Sequence, residues 1–196
     1  MAWTRFSLAF REYPYTNEGL YVGPNQTGPS NLLYVDPTGY GATMVGFPYD
    51  AVNAWRGIYP ADVYAKQLEK VSTGWRAGLP DLEKAVAAAP ANRKADAEAE
   101  LRFARVCELH FRSMASQTRF IVARDALLAG DAGRTMQLET IRRAVADEMA
   151  AAKELFVLAR DDSRIGYEAS NHYYYVPQDL VEKVLYCQYV LYRYAH

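Results

Sequence analysis

Beyond Pro60, the apolar residues recur every three to five positions, which is the spacing that places them on one face of an α-helix. The first such pattern begins at about Pro60, and proline is favoured at the first position of a helix. Gly78 and Pro80 are expected to break or kink this helix, because proline lacks the N–H of a helical hydrogen bond and clashes with the preceding turn. The pattern therefore predicts a first helix with a weak point at Gly78 and Pro80.

Three further helices are predicted from the same spacing. The second is expected over about 92–129, where Gly130 supplies a cap, and the third over about 132–160. The fourth begins at Pro177 and carries acidic residues in its first turn, where the helix dipole favours them. Amphipathic helices with short connections cannot bury their apolar stripes singly, so the fold class is predicted to be mainly α, an antiparallel bundle of three to four helices.

Residues 1–59 follow a different pattern and are rich in glycine, proline, asparagine, threonine and tyrosine. A short helix is expected near residues 3–10, before the proline and glycine turns begin. Short strands have room only at 19–22, 31–35 and 42–47. The chain is thus predicted to divide into an aromatic, turn-rich segment (1–59) and a helical bundle (60–196). The turn-rich segment is expected to pack on the bundle or on a neighbouring domain.

Composition argues against several kinds of partner and site. The chain has 22 lysine and arginine residues against 23 acidic ones, a net charge of −1, and no basic run, so a nucleic-acid partner is not expected. No signal peptide or membrane-spanning run is visible, so no membrane partner is expected and the compartment stays open. Cys107 and Cys187 are predicted to be free core thiols, with a disulfide between two helices as the alternative. No phosphate loop, nucleophile elbow or zinc-binding helix occurs, so no catalytic residue, metal or cofactor is predicted.

The connection between the third and fourth helices, residues 162–175, concentrates charged, amide, imidazole and phenol groups. Either these side chains pin the loop internally or they form a recognition surface. Asp162 and Arg164 are expected to form a buried ion pair that acts as a structural pin, and a general-acid role for Asp162 is the alternative. The loop is also expected to dock on the turn-rich segment, because most of the chain's 16 tyrosines cluster in these two regions.

Several blocks of the chain resemble one protein family. These blocks are 6–7, 9–14, 28–34, 37–40, 42–50, 55–57 and 162–175. They resemble the C-terminal region of large bacterial glycoside-hydrolase-like proteins that have a hexosaminidase-like or α-glucuronidase-like barrel. The resemblance implies that the catalytic carboxylates lie in an upstream barrel, for which this chain is too short. The chain would then be a detached C-terminal domain, a truncated piece or a small subunit.

The resemblance also implies a function. It implies a non-catalytic accessory domain or small subunit of a bacterial carbohydrate-active protein, with a catalytic barrel and carbohydrate as candidate partners. The residues that could border a sugar site formed with the barrel are Asn31, Tyr34, Trp55, Arg56, Asn171, His172 and Tyr173. The alternative is a self-contained helical interaction module whose tyrosine-rich surface forms a homodimer. A small enzyme with its own acid pair ranks last, because no such pair has a recognisable context.

Overall fold

Four α-helices dominate the computed structural model, which describes residues 28–40, 50–54, 56–165 and 175–195. The helices are α1 Ala61–Ala87, α2 Lys94–Leu128, α3 Arg134–Asp161 and α4 Pro177–Arg193, and two short 3-10 turns lie at Val52–Ala54 and Ala91–Arg93. No strand occurs in the described ranges. The predicted mainly α fold, a bundle of helices packed on one another, is confirmed.

Each helix packs antiparallel on the next, so that α1 and α3 both lie against α2, and α4 lies against α3. Between α1 and α2, Glu69 contacts Arg119, whereas Glu83, later in α1, contacts Arg105, earlier in α2. The same reversal relates α2 to α3 and α3 to α4. None of the helices in the described part of the chain is long and apolar enough to cross a membrane.

The core consists of two apolar clusters along the bundle. The larger includes Phe120, Ile141 and Cys187 from three helices and takes in Leu33 and Val52 from the turn-rich segment. The smaller joins α2, α3 and α4 to the two described ends of the 162–175 loop. Leu33 is only 2% exposed, and burying such a side chain contributes about 1.5–3 kcal/mol to stability. The described parts of the turn-rich segment therefore share the core of the bundle.

The helix boundaries agree with those predicted to within about two residues, but α1 is not broken at Gly78 and Pro80, where a break or a kink was expected. The helix continues through Gly78 and Pro80 to Ala87. The residues of the preceding turn, 73–78, are all exposed, so a carbonyl that loses its helical partner to proline can bond water instead. Gly130, just beyond α2, has a φ of +75°, in the left-handed region expected of a glycine cap.

The 31–35 stretch is irregular and not a strand, because its backbone carbonyls accept hydrogen bonds from helix side chains. The expected helix near 3–10 and the strands at 19–22 and 42–47 lie outside the described residues. Both cysteines are free thiols; Cys187 is fully buried, whereas Cys107 is only half-buried and so is not a core residue.

Candidate functional site

A buried polar centre lies where α2, α3 and α4 pack together, and it is formed by Glu148, Lys183, Ser113 and Gln117. Glu148 and Lys183 are fully buried, and the Lys183 Nζ lies 2.8 Å from the Glu148 Oε2. Ser113 Oγ and Gln117 Nε2 donate to the same carboxylate oxygen at 2.9 and 3.1 Å. Because removing two charges from water is costly, such a centre is stable only when close pairing and hydrogen bonds offset that cost.

The electrostatics of this centre favour an anchoring role. Burial raises the pKa of Glu148, while Lys183 and the Ser113 and Gln117 hydrogen bonds act in the opposite direction. All three donors bond Oε2, and Oε1 has no hydrogen-bond partner among the residues the structure describes. A general acid or base must reach the proton that it transfers, and a fully buried carboxylate does not. The centre is therefore suited to holding structure in place.

The structure that the centre holds is the turn at residues 28–31. Gln117 Nε2 donates to the backbone carbonyl of Gly28 at 2.6 Å, and Lys183 Nζ donates to the backbone carbonyl of Asn31. The side-chain oxygen of Asn31 accepts a hydrogen bond from the Gly28 N–H at 2.6 Å and so closes the turn. Asn31, predicted as a sugar-site residue, thus uses its side-chain oxygen within the fold.

A second anchor is Arg124 of α2, whose side chain is 1% exposed. Its guanidinium donates to the backbone carbonyl of Tyr34 at 3.0 Å and to that of Asp50 at 2.7 Å. The carboxylate of Asp125 accepts from the Nε and Nη2 of Arg124 at 2.9 and 2.8 Å, which orients the guanidinium. Arg124 therefore joins two separate pieces of the turn-rich segment to the bundle.

Asp50 extends this anchor to an exposed tip formed by residues 36–40. The Asp50 carboxylate accepts hydrogen bonds from the Thr38 N–H at 2.7 Å and from the Thr38 hydroxyl at 2.9 Å. The Thr38 hydroxyl oxygen accepts in turn from the N–H of Tyr40, whose side chain is 49% exposed. The ring of Tyr40 is therefore carried by backbone that hydrogen bonds connect to the core of the bundle through Asp50 and Arg124. Such a ring can stack on a sugar or on a protein surface.

The predicted sugar-site residues do not share one environment. Trp55, Asn171, His172 and Tyr173 lie outside the described residues. The ring of Tyr34 packs edge-on against Tyr186 of α4, with ring centroids 6.1 Å apart. Arg56 donates to the side-chain oxygen of Asn53 at 2.7 Å and to the backbone carbonyl of Tyr59. Arg56 therefore stabilises the turn that precedes α1.

Asp162 is the residue that follows the last turn of α3, and its carboxylate pairs with two arginines. Its carboxylate accepts from the Nε and Nη2 of Arg164 at 2.8 and 2.6 Å and from Arg102 at 3.2 Å. The side chain of Asp162 is 11% exposed but that of Arg164 is 78% exposed, so the pair is a surface pair on its arginine side. The Arg164 contact holds the pKa of Asp162 well below its ordinary range. A carboxyl that is ionised in this way is poorly suited to act as a general acid.

Tyr175, at the end of the 162–175 loop, contacts the turn-rich segment. Its hydroxyl forms a hydrogen bond with Nδ1 of His110. A Cβ atom added at Gly28 would lie 3.0 Å from Cε1 of Tyr175 and 3.1 Å from its hydroxyl. An alanine at position 28 would therefore require Tyr175 to shift by a few tenths of an ångström. One end of the loop meets the turn-rich segment in this way, while residues 166–174 lie outside the described residues.

The anchoring residues are absent from the sequence-based prediction of the site. They are Asp50, Ser113, Gln117, Arg124, Glu148 and Lys183. The sequence nevertheless indicates that Lys183 is buried. It lies three residues after Leu180 and four before Cys187, on the buried side of its helix. A charged residue at an inward position of a helix requires a buried partner.

Comparison of the chain with family models, with curated proteins and with solved structures found no match. Within the described residues, no group of three or more histidine, cysteine, aspartate or glutamate side chains is placed to hold a metal ion.

Proposed function

We propose that this chain is a non-catalytic helical accessory domain, or small subunit, of a bacterial carbohydrate-active protein of the glycoside-hydrolase-like kind. The bundle acts as a rigid support in this proposal. The turn-rich segment faces a catalytic barrel and borders its sugar site, with the exposed tip at residues 36–40 as the contact surface. Three buried donors support the proposal, because Gln117, Lys183 and Arg124 all bond backbone carbonyls of the turn-rich segment.

These three side chains are each no more than 1% exposed. Loss of a hydrogen-bond partner in such a setting leaves a buried polar group unsatisfied, at a cost of about 1–3 kcal/mol. The described residues 28–34 and Asp50 of the turn-rich segment are thus held on the bundle by buried hydrogen bonds before any partner arrives. A surface that is already ordered avoids the entropy cost of ordering when it binds. This is the property expected of a support that completes the site of a neighbouring domain.

The tip has the groups that recognition of a sugar or of a barrel rim would use. All five residues at 36–40 are exposed, and they combine a carboxylate at Asp36 with the ring of Tyr40. Aromatic faces pack on the apolar faces of sugar rings, and carboxylates accept hydrogen bonds from hydroxyl groups. The family resemblance of residues 28–34 and 37–40 includes the anchored turn and, apart from Asp36, this tip.

A glycosidase assay on the purified chain tests the non-catalytic part of the proposal. We expect no turnover of aryl hexosaminides or aryl glucuronides above the level of an Asp162→Asn variant purified in the same way. The reason is that the carboxyl of Asp162 is held ionised by Arg164 and cannot donate a proton at neutral pH. Turnover by the wild-type chain that disappears in the Asp162→Asn variant would contradict the proposal.

The exposed face of α4 favours a second function, that of a homodimerisation module. Val181, Leu185, Tyr189 and Tyr192 follow one another at steps of four, four and three residues and are 42–72% exposed. They therefore form an apolar stripe along one side of the helix, which is typical of a surface that packs on another molecule. In this alternative the α4 stripes of two copies pack together.

Analytical ultracentrifugation distinguishes the two functions. The homodimer alternative predicts a wild-type dimer that a Leu185→Lys substitution converts to a monomer, because a charge would be buried in the interface. The accessory-domain proposal predicts that the wild-type chain and the variant sediment alike as monomers.

A further inference from the structure

A groove with a volume of about 500 Å³ lies between α1 and α3, above the middle of α2. Ala115 and Ser116 of α2 form part of its floor, and both are buried. Because these floor residues are small, the side chains of the two flanking helices stand above them and form the walls. The volume falls within the range of small-molecule sites, about 300–1,000 Å³.

Arginine is concentrated in this groove. The four arginines that line it are Arg76 on α1, Arg112 and Arg119 on α2, and Arg143 on α3. Only two acidic residues, Glu69 and Asp147, line the groove with them, so the lining carries two more positive than negative charges. The chain as a whole has a net charge of −1, so the positive lining is a local feature.

Three of the arginines are oriented by acidic partners. Arg76 bonds Glu108 at 2.6 and 2.8 Å, Arg112 bonds Glu154 at 3.2 Å, and Arg119 bonds Glu69 at 2.5 Å. A guanidinium has five N–H donors, and these contacts use only some of them. The Nε of Arg112 is buried and lies 3.9 Å from a carboxylate oxygen of Glu108, so Arg112 would use its other donors to bind a ligand. Oriented guanidiniums with donors to spare are well placed to receive an anion.

Arg143 differs from the other three. It forms no hydrogen bond or ion pair with any described residue, and neither does Asp147, four residues later on the same helix. Both side chains are exposed and line the groove. The charges of the other three arginines are offset by carboxylates, so Arg143 is the groove arginine whose charge a bound anion would offset.

We propose that this groove binds a small ligand with two or more negative charges on oxyanion groups, either a phosphate compound or a polycarboxylate. The planar fork of arginine matches the oxygens of both groups and can bond each of them in a bidentate manner. Guanidiniums from three helices line the site of such a ligand, with Arg143 as the arginine that has no partner among the described residues and Asp147 as the group that weakens binding. This site is separate from the tip at residues 36–40 and does not depend on the accessory function.

Calorimetric titration of the purified chain with pyrophosphate and with citrate tests the site. The titration is performed at low ionic strength, because salt screens attraction between exposed charges. We expect saturable binding of at least one anion, weakened about tenfold or more by Arg143→Gln, since hydrogen bonds to charged groups are the stronger ones. Asp147→Asn should strengthen binding, because it removes a negative charge from the lining. The anion that binds more tightly identifies phosphate or carboxylate as the ligand group.

Arg134→Gln supplies the matched control. Arg134 is an exposed arginine on the same helix that does not line the groove, so its loss changes the net charge equally without changing the site. It should leave anion affinity unchanged, and far-UV circular dichroism should show that all three variants fold. The proposal is overturned if neither anion binds, or if Arg134→Gln weakens binding as much as Arg143→Gln does.

Discussion

The Lys183→Met variant removes the cation from the buried polar centre while keeping most of the length of the side chain. Glu148 then keeps the hydrogen bonds from Ser113 and Gln117 but loses its charged partner, and the carbonyl of Asn31 loses its donor. Because both charged groups are fully buried in the native protein, the carboxylate that remains is isolated in the core. Breaking a buried ion pair from one side costs about 3–5 kcal/mol, and we expect a loss of that size in the free energy of unfolding.

A double variant separates the cost of the lone charge from the cost of changed packing. Glu148→Leu with Lys183→Met replaces the pair by apolar side chains, and such replacements are often nearly neutral. Gln117 still donates to the carbonyl of Gly28 in this variant, so the turn at residues 28–31 keeps one of its two bonds to the centre. The double variant should therefore be more stable than Lys183→Met alone, with a large favourable coupling between the two substitutions.

The dependence of stability on pH gives a further check on the same variant. Burial already raises the pKa of Glu148 above its ordinary value of 4.5 although Lys183 lowers it, so removing Lys183 raises that pKa further. A carboxyl with a raised folded-state pKa contributes stability that is present below its unfolded-state value and is lost as the pH rises. The stability deficit of Lys183→Met relative to the wild type should therefore shrink as the pH falls toward 4.5.

Urea unfolding followed by circular dichroism at neutral and acidic pH measures these differences. Lys153→Met is the matched control, because Lys153 is an exposed lysine on α3, and surface substitutions usually change stability by less than about 0.5 kcal/mol. The buried-pair explanation fails if Lys183→Met unfolds like Lys153→Met. It also fails if the stability that the double variant loses equals the sum of the losses measured for Lys183→Met and Glu148→Leu separately.

Three other outcomes are expected. Gly28→Ala should lower the free energy of unfolding by about 1–3 kcal/mol in urea, because its Cβ would press on Tyr175; an unchanged midpoint would contradict that contact. Asp162→Asn should destabilise the protein above pH 3.8, the ordinary aspartate pKa, because the wild-type carboxylate pairs with Arg164. Thermal melts should show the stability difference between the variant and the wild type vanishing as the pH falls below that value. A stability difference that stays constant with pH would exclude the ion pair as its cause. Cys187, whose pKa burial raises to about 11, should react with a thiol reagent only on unfolding, whereas the half-buried Cys107 should react faster in the native protein; equal native rates would contradict the burial of Cys187.

The helices were predictable because their apolar period is a local property of the sequence. Spacing alone predicts less well which residues at the edges of an apolar stripe are buried. Val63 and Trp75 fit the three-to-five spacing of the apolar residues in α1 yet are 36% and 40% exposed, while Tyr64 is 1% exposed. The indole of Trp75 donates to the carbonyl of Ala104 at 2.7 Å, so it packs at a helix edge. Spacing identifies a stripe, but the neighbouring helix decides which of its margins is covered.

The anchors were not predictable in the same way. The carbonyls that Arg124 bonds lie 90 and 74 residues away in the chain. Every residue has a backbone carbonyl, so no residue type marks the acceptor. The arginine groove has the same difficulty, because its four arginines lie on three helices and come together only once the antiparallel pairing is known. What the sequence did contain was the donor, a charged side chain at an inward helix position.

Binding of this chain to a glycoside-hydrolase-like barrel encoded upstream of it or beside it in the source genome is the decisive measurement for the proposed function. Two exposed tyrosines supply matched variants: Tyr40→Ser on the tip at residues 36–40 and Tyr192→Ser on the α4 stripe. Calorimetry should show a complex that Tyr40→Ser weakens by about tenfold or more, as expected for an aromatic contact residue, and that Tyr192→Ser leaves intact. The absence of a complex, or a complex weakened only by Tyr192→Ser, would contradict the role of the turn-rich segment as the contact surface.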